Sequence, residues 1–127
     1  MARILAALLF SLLAVPAVSQ ELRVEVLNEG LENPWGLAFL PDGRMLLTER
    51  SGALWLLDVR GKKLTKIRNV PPSFVKLQGG LFDVVLHPDF TNNSLVYLSL
   101  AHGEQKRNTT RVIRGRLNVK FNSLLGG

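Results

Sequence analysis

The chain has 127 residues, no cysteine, and sixteen Lys/Arg against ten Asp/Glu, for a formal net charge of +6. Without cysteine there is no disulfide, no thiol chemistry and no lipid attachment at a cleavage-site cysteine, and the length admits one modest domain. Residues 20–59 hold three Lys/Arg against seven Asp/Glu, a balance of −4, whereas residues 60–127 hold twelve against three, or +9. A basic balance raises nucleic acid as a partner, but Lys62, Lys63, Lys66, Arg68, Arg111, Arg114 and Arg116 are scattered through strands and turns. They read as solvated outer-strand faces, so no nucleic-acid partner is expected.

Arg3, the apolar Ile4–Val15 and the small-residue Pro16-Ala17-Val18-Ser19 have the layout of a secretory signal peptide with cleavage near Ser19–Gln20. The apolar run falls short of the roughly 18 residues a membrane helix needs and contains Pro16, so no stable membrane insertion is expected. Residues 1–19 are set aside as the signal peptide, and 20–127 as the folded portion.

In Glu21–Leu27, Leu22, Val24 and Val26 alternate with charged residues, which predicts a half-exposed outer strand. Asn28–Asn33 is a polar loop. Pro34 cannot donate to a ladder, so a strand should begin after it, at Trp35 or Gly36, with Trp35, Leu37 and Phe39 on one face and Gly36, Ala38 and Leu40 on the other. This large-and-small pattern suits a sheet buried on both sides, with one neighbour approaching closely. Asp42-Gly43 is a hairpin signal leading into Met45–Glu49. Ser51-Gly52 turns the chain into Ala53–Val59, and Gly61-Lys62 into Leu64–Arg68. Four strands joined by tight turns make one antiparallel meander.

Asn69–Leu77, with Pro71-Pro72, carries no period and reads as a surface connection. A second unit starts at Gly80. Leu81–Leu86 and Leu95–Ala101 flank the turn-rich Pro88–Ser94, and Thr110–Leu117 follows a polar loop, His102–Asn108. The tail Asn118–Gly127 has no evident partner, so it is expected to fray and to leave the second unit without a fourth strand.

Aligning Pro41-Asp42 on Pro88-Asp89 exposes an internal repeat with an offset of 47 residues. Short strands repeating every 40–50 residues are the signature of β-propeller blades. A closed propeller needs about four to eight blades, and this chain supplies about two. The expected fold class is therefore all-β: part of a propeller, in two four-stranded antiparallel blades.

In a propeller, the loop leading into each inner strand opens at the mouth of the central channel, which places Gln78 there. Its amide can donate and accept at once, suiting a carbonyl-bearing cofactor or a sugar hydroxyl, and Gly79-Gly80 lets the backbone come close to a ligand. The structural alternative is that Gln78 only caps a turn and the glycines make a bend. Asp83, inside the inner strand on a face with Leu81 and Val85, needs a partner; pairing with an arginine or backbone amides accounts for it better than catalysis. His87 is nine residues from Gln78, up to roughly 30 Å along an extended strand, and cannot share its site. His102 returns to the mouth side and is the imidazole with access, or else a surface loop residue. No metal cluster, nucleophile elbow, phosphate loop or paired-carboxylate motif is present. Asn92-Asn93-Ser94 and Asn108-Thr109-Thr110 match the glycosylation pattern, which has meaning only in a eukaryotic secretory pathway.

Asn33-Pro34-Trp35-Gly36-Leu37-Ala38-Phe39-Leu40-Pro41-Asp42-Gly43, then Leu47-Thr48-Glu49-Arg50, Gln78-Gly79-Gly80-Leu81, His87-Pro88-Asp89-Phe90 and Val96-Tyr97-Leu98-Ser99 resemble, in order, the N-terminal part of the soluble PQQ-dependent glucose and aldose sugar dehydrogenases. The likeness runs from about Leu31 to Leu117. It implies a partial six-bladed propeller, exported to the periplasm or secreted, from an enzyme that oxidises the C1 hydroxyl of an aldose to a lactone. Hydride would pass to pyrroloquinoline quinone held beside calcium. The resemblance further implies that Gln78 contacts quinone and sugar, and that His87 is a structural residue of its His-Pro-Asp-Phe turn. The family's catalytic histidine lies in a His-x-Gly/Ser-Gly-Arg stretch; Arg114-Gly115-Arg116-Leu117 is superficially similar, but Val112 stands where the histidine would be. Gln78 is thus the one cofactor-binding residue carried over. No catalytic or metal-binding residue is assigned, and the expectation is an inactive fragment that does not bind quinone and calcium by itself. A non-catalytic propeller binding module and a truncated gene remnant are the alternatives.

Overall fold

The computed structural model describes residues 22–126, so the signal-peptide reading of residues 1–19 lies outside the described residues. Eight strands form in chain order: β1 Pro34–Phe39, β2 Met45–Glu49, β3 Ala53–Leu57, β4 Lys63–Lys66, β5 Leu81–Leu86, β6 Leu95–Glu104, β7 Arg107–Asn118 and β8 Ser123–Leu125. A single helical turn, α1 Phe90–Asn93, lies between β5 and β6. The strands make two four-stranded antiparallel meanders, ordered β1-β2-β3-β4 and β5-β6-β7-β8.

Local chemistry explains the turns. Gly43 has φ +84, and Asp42 receives the Arg44 backbone N–H at 3.1 Å and its guanidinium at 2.6 Å and 2.9 Å. Asp58 accepts the Arg60 and Lys62 N–H groups at 2.9 Å each, closing the turn into β4 around Gly61 at φ +82.

The repeat persists in the hydrogen bonding. The β1–β2 register slips between Pro34 and Leu37, and the β5–β6 register slips between Leu81 and Val84, the same two positions 47 residues on. At each slip a hydroxyl from the second strand receives the displaced backbone N–H. Gly36 donates to Thr48 Oγ1 at 2.8 Å, and Asp83 donates to Ser99 Oγ at 3.1 Å. The slips are β-bulges, which sharpen the twist of each inner strand.

One core joins the two sheets. Leu46, Leu54, Leu56 and Ile67 of the first meet Leu81, Val84, Leu98 and Leu100 of the second, all buried. The inner edges approach closely: a Cβ on Gly36 would lie 2.6 Å from Asp83 Oδ1 and 2.9 Å from its Cα. Thr48, fully buried, also donates its hydroxyl proton to the Phe82 carbonyl across the interface.

Several expectations need correction. Residues 22–27 form no strand, and Leu22 and Val24 are about nine-tenths exposed. Pro34 is within β1, opposite Glu49, which the bulge permits because it interrupts the ladder there. Burial of the first sheet on both sides is only partial: Gly36 and Leu40 face the second sheet, and on the opposite face Met45, Leu47 and Leu57 are buried with Leu31 and Trp55 against them, while Trp35, Leu37 and Phe39 stay about half exposed or more. The polar stretch His102–Asn108 is not a long loop, since β6 and β7 pair through Glu104↔Arg107. The tail does not fray: β8 pairs with β7 through Leu117↔Leu124 and supplies the fourth strand of the second sheet. Gly115 makes room for it, with Leu124 Cγ only 2.5 Å from where a Cβ would be.

Candidate functional site

The loop that crosses from the first sheet to the second ends at Leu77-Gln78-Gly79-Gly80, directly before β5. It is fastened from both sides. Phe74 N–H donates to the Ala101 carbonyl and Ala101 N–H to the Gly80 carbonyl, each at 2.8 Å, while Gly79 N–H closes a turn onto Lys76 at 2.8 Å. Arg50, at the end of β2, grips the loop twice: its guanidinium donates to the Leu77 carbonyl, and its own carbonyl accepts the Leu81 N–H at 3.2 Å.

These contacts dictate the glycines. A Cβ on Gly80 would overlap the Arg50 carbonyl, and one on Gly79 would lie 2.6 Å from the Phe74 carbonyl. Leu77 takes the left-handed conformation, φ +53, with its side chain in solvent. A bulky residue held there carries backbone strain of a kind that clusters at ligand-binding loops.

Gln78 emerges exposed from this clamp and is shared by two hollows. One, of ≈ 320 Å³, is lined by Phe74, Lys76, Gly79 and, from the β6–β7 hairpin, Gln105 and Asn108. The other, of ≈ 370 Å³, is lined by Asn33, Pro34, Trp35 and Arg50. The arrangement therefore offers an amide that donates and accepts, two cationic side chains and the face of an indole. Such a donor set fits a planar, anionic, carbonyl-bearing molecule. Among the described residues no three His, Cys, Asp or Glu side chains converge.

The other sequence candidates lie elsewhere. Asp83 is exposed, and its Oδ1 accepts the Val84 N–H at 2.9 Å, so a backbone amide is its partner. The bulge spoils the expected alternation, which puts Leu81 and Val84, not Leu81 and Val85, on the buried face. His87 holds the turn after β5: Nδ1 accepts the Asp89 N–H at 3.0 Å and faces the Asn93 amide at 2.9 Å, and the ring stacks on Tyr97 with centroids 6.1 Å apart. His102 lines two hollows formed with Pro71, Pro72, Ser73, Phe74, Gly103 and Arg111, and neither contains Gln78. Arg50 and Trp35 escaped the sequence reading as site residues. The signal available was their position, at the end of the second strand and beside the expected strand start.

Two meanders packed face to face, each entered by a loop at its inner strand, define a segment of a β-propeller. The family model for glucose/sorbosone dehydrogenases matches residues 31–125, and the chain belongs to that family. It is 42% identical over 111 residues to the aldose sugar dehydrogenase YliI of Escherichia coli K12, a match covering 85% of this chain and 29% of that protein. An uncharacterized Synechocystis protein, slr1608, is 40% identical over 108 residues, covering 79% of this chain and 26% of that one. Among solved structures, the apo-form of the soluble aldose sugar dehydrogenase of E. coli superposes with TM-score 0.73 at 37% identity, over 79% of this chain and 29% of that one. The PQQ-bound form of the aldose sugar dehydrogenase of Streptomyces coelicolor superposes with TM-score 0.67 at 30% identity, over 76% and 29%. The chain thus spans between a quarter and a third of the length of these relatives. It is a partial sugar dehydrogenase domain of the propeller type.

Proposed function

We propose that the chain is the N-terminal, two-sheet part of a PQQ-dependent aldose sugar dehydrogenase that oxidises the C1 hydroxyl of a sugar to the lactone. The observation that carries this reading is the placing of Gln78, between Arg50 and Trp35 on one side and Lys76 on the other, on a loop that both sheets clamp. Bound there, the quinone would supply the two-electron acceptor. Gln78 would orient a quinone carbonyl and a sugar hydroxyl, Arg50 and Lys76 would hold negative charge, and Trp35 would present an apolar wall. The base and any calcium ligands belong to parts of the enzyme beyond these two sheets, so the chain is inactive alone. Export to the periplasm or outside the cell, read from Arg3 to Ser19, completes the proposal and is checked with a reporter fused after Gln20.

A chimera tests the assignment. Residues 31–125 replace the matching part of the E. coli aldose sugar dehydrogenase, and aldose-dependent dye reduction is measured with quinone and calcium. Turnover is expected, and Gln78→Ala should lower kcat/KM by about tenfold, the worth of one or two neutral hydrogen bonds. A folded chimera whose activity ignores Gln78→Ala would refute the placing of the site. Turnover by the 127-residue chain alone would refute the partial-enzyme reading.

A further inference from the structure

We infer that Glu49 is a positioning residue for the Gln78 site: with Arg50 it forms a two-way clamp that holds the two walls of the ≈ 370 Å³ hollow at a fixed spacing. In function the inference rests on the reading of that hollow as a quinone site; in geometry it does not. Glu49 ends β2 and is 3% exposed. Its carboxylate accepts the Glu32 N–H at 2.9 Å, Trp55 Nε1–H at 2.9 Å and Lys63 Nζ at 2.7 Å, so it gathers groups from the loop before β1, from β3 and from β4. Lys63 Nζ also lies 4.5 Å over the Trp55 ring. A carboxylate is buried at tolerable cost only where donors of this kind meet it.

One wall of the hollow is Asn33, Pro34 and Trp35, and the other carries Gln78. Glu49 fixes the first wall by holding Glu32, the residue before it, while the Arg50 N–H closes the corner on the Asn33 carbonyl at 3.0 Å. Asn33 is left-handed there, at φ +50. Arg50 fixes the second wall, since its guanidinium donates to the Leu77 carbonyl and its own carbonyl accepts the Leu81 N–H at 3.2 Å. The side chains of two adjacent residues thus grip the two loops that enter the inner strands, and the hollow lies between them.

The repeat supplies an internal control. Pro34 pairs with Glu49 and, 47 residues on, Leu81 pairs with Leu100, so Leu100 occupies the position of Glu49. The matching corner forms as well: the Ala101 N–H donates to the Gly80 carbonyl at 2.8 Å, as the Arg50 N–H does to Asn33. The second sheet makes this corner with an apolar residue, 1% exposed, so the meander does not require a carboxylate at this place. What differs is what the corner carries. In the second sheet it is Gly79-Gly80; in the first it is Glu32-Asn33, which leads to Trp35 in the wall of the hollow. Holding that wall is the task left for the carboxylate.

The test reads backbone amide exchange in the purified full chain, which needs no cofactor. Glu49→Leu with Lys63→Met gives the first sheet the residue that the second sheet uses and removes the cation that would be stranded. Replacing an ion pair by apolar groups of similar volume is often neutral for stability, so the thermal melt should stay near wild type. Exchange at the Arg50 amide should quicken about tenfold, the worth of one hydrogen-bonded anchor, while the Ala101 and Leu81 amides keep their rates. Glu49→Asp, whose shorter side chain cannot reach all three donors, should open the same corner. Glu49→Gln, which keeps an acceptor for the Glu32 N–H, should largely spare it. An Arg50 amide that stays protected in the Leu/Met and Asp variants, or that opens only together with Ala101 and Leu81, would overturn the inference.

In the chimera carrying residues 31–125, the Leu/Met pair should raise the dissociation constant for quinone about tenfold and leave kcat at saturating quinone unchanged. An opened corner with unchanged quinone affinity would confine Glu49 to the fold and overturn its positioning role. A chimera of wild-type sequence that takes up no quinone would instead refute the quinone reading, and the exchange result then decides the clamp by itself.

Discussion

Trp35 and Phe82, 47 residues apart and at the same position of their respective inner strands, touch: their ring centroids lie 5.1 Å apart at an interplanar angle of 48°. The repeat has placed one aromatic at the head of each sheet, and the close approach at Gly36 brings the rings within reach. Tilted pairs at this distance contribute about 0.5–1.5 kcal/mol beyond the area they bury. A double-mutant cycle of Trp35→Leu and Phe82→Leu, followed by urea unfolding, should return a coupling energy in that range.

Thr48 has a sharper role. Its hydroxyl is fully buried and serves two sheets at once, so Thr48→Val keeps the shape but strands both the Gly36 N–H and the Phe82 carbonyl. Each lost partner inside a core costs about 1–3 kcal/mol. Denaturant unfolding should show Thr48→Val as strongly destabilised, with Thr48→Ser recovering most of the loss.

The Gln78 loop yields opposite outcomes at neighbouring positions. Gly80→Ala drives a methyl into the Arg50 carbonyl and should cost about 1–3 kcal/mol as the loop gives way. Leu77→Gly removes an exposed side chain from a left-handed backbone, relieving about 1–2 kcal/mol of strain against the entropy that glycine adds to the unfolded chain. Thermal melts should therefore place Leu77→Gly at or slightly above wild type.

Glu49 couples the first sheet to pH. Burial pushes its carboxyl upward, but the Glu32 N–H at 2.9 Å, Lys63 Nζ at 2.7 Å and Trp55 Nε1 at 2.9 Å outweigh burial together and leave it below its ordinary 4.5. A depressed carboxylate contributes stability that is complete above the ordinary value and is lost as the pH falls through the depressed one. Unfolding free energy should thus decline as the pH drops below about 4.5, and Glu49→Gln should be less stable at pH 7 while flattening that decline.

How much of this was legible follows from which signals are local. The 47-residue offset, the Asp42-Gly43 turn and the alternation of Gly36, Ala38 and Leu40 are carried by neighbouring residues, so the two sheets and their stacking could be read from the chain. The place of Gln78 in the loop directly before β5 followed from the same repeat. The fourth strand could not be read, because Ser123–Leu125 is too short to show a period and pairs only because Gly115 leaves room for Leu124. Arg50 was hidden for a similar reason: its partners, Leu77 and Leu81, are some thirty residues away. The segment 22–27 shows the converse, a strand-like alternation that forms no strand.

The short strand β8 does more than complete its own sheet. Past the end of β4, Arg68 donates its N–H to the Asn122 carbonyl at 2.8 Å and accepts the Leu124 N–H at 2.9 Å, in a parallel bridge to Ser123. The sheets are thereby stitched along their outer margins as well as at Thr48 and Phe82, so neither can melt first and leave the other standing. Unfolding should be a single cooperative step, and removing eight or nine residues from the C-terminal end should loosen the N-terminal meander, which those residues follow by more than fifty positions in the chain.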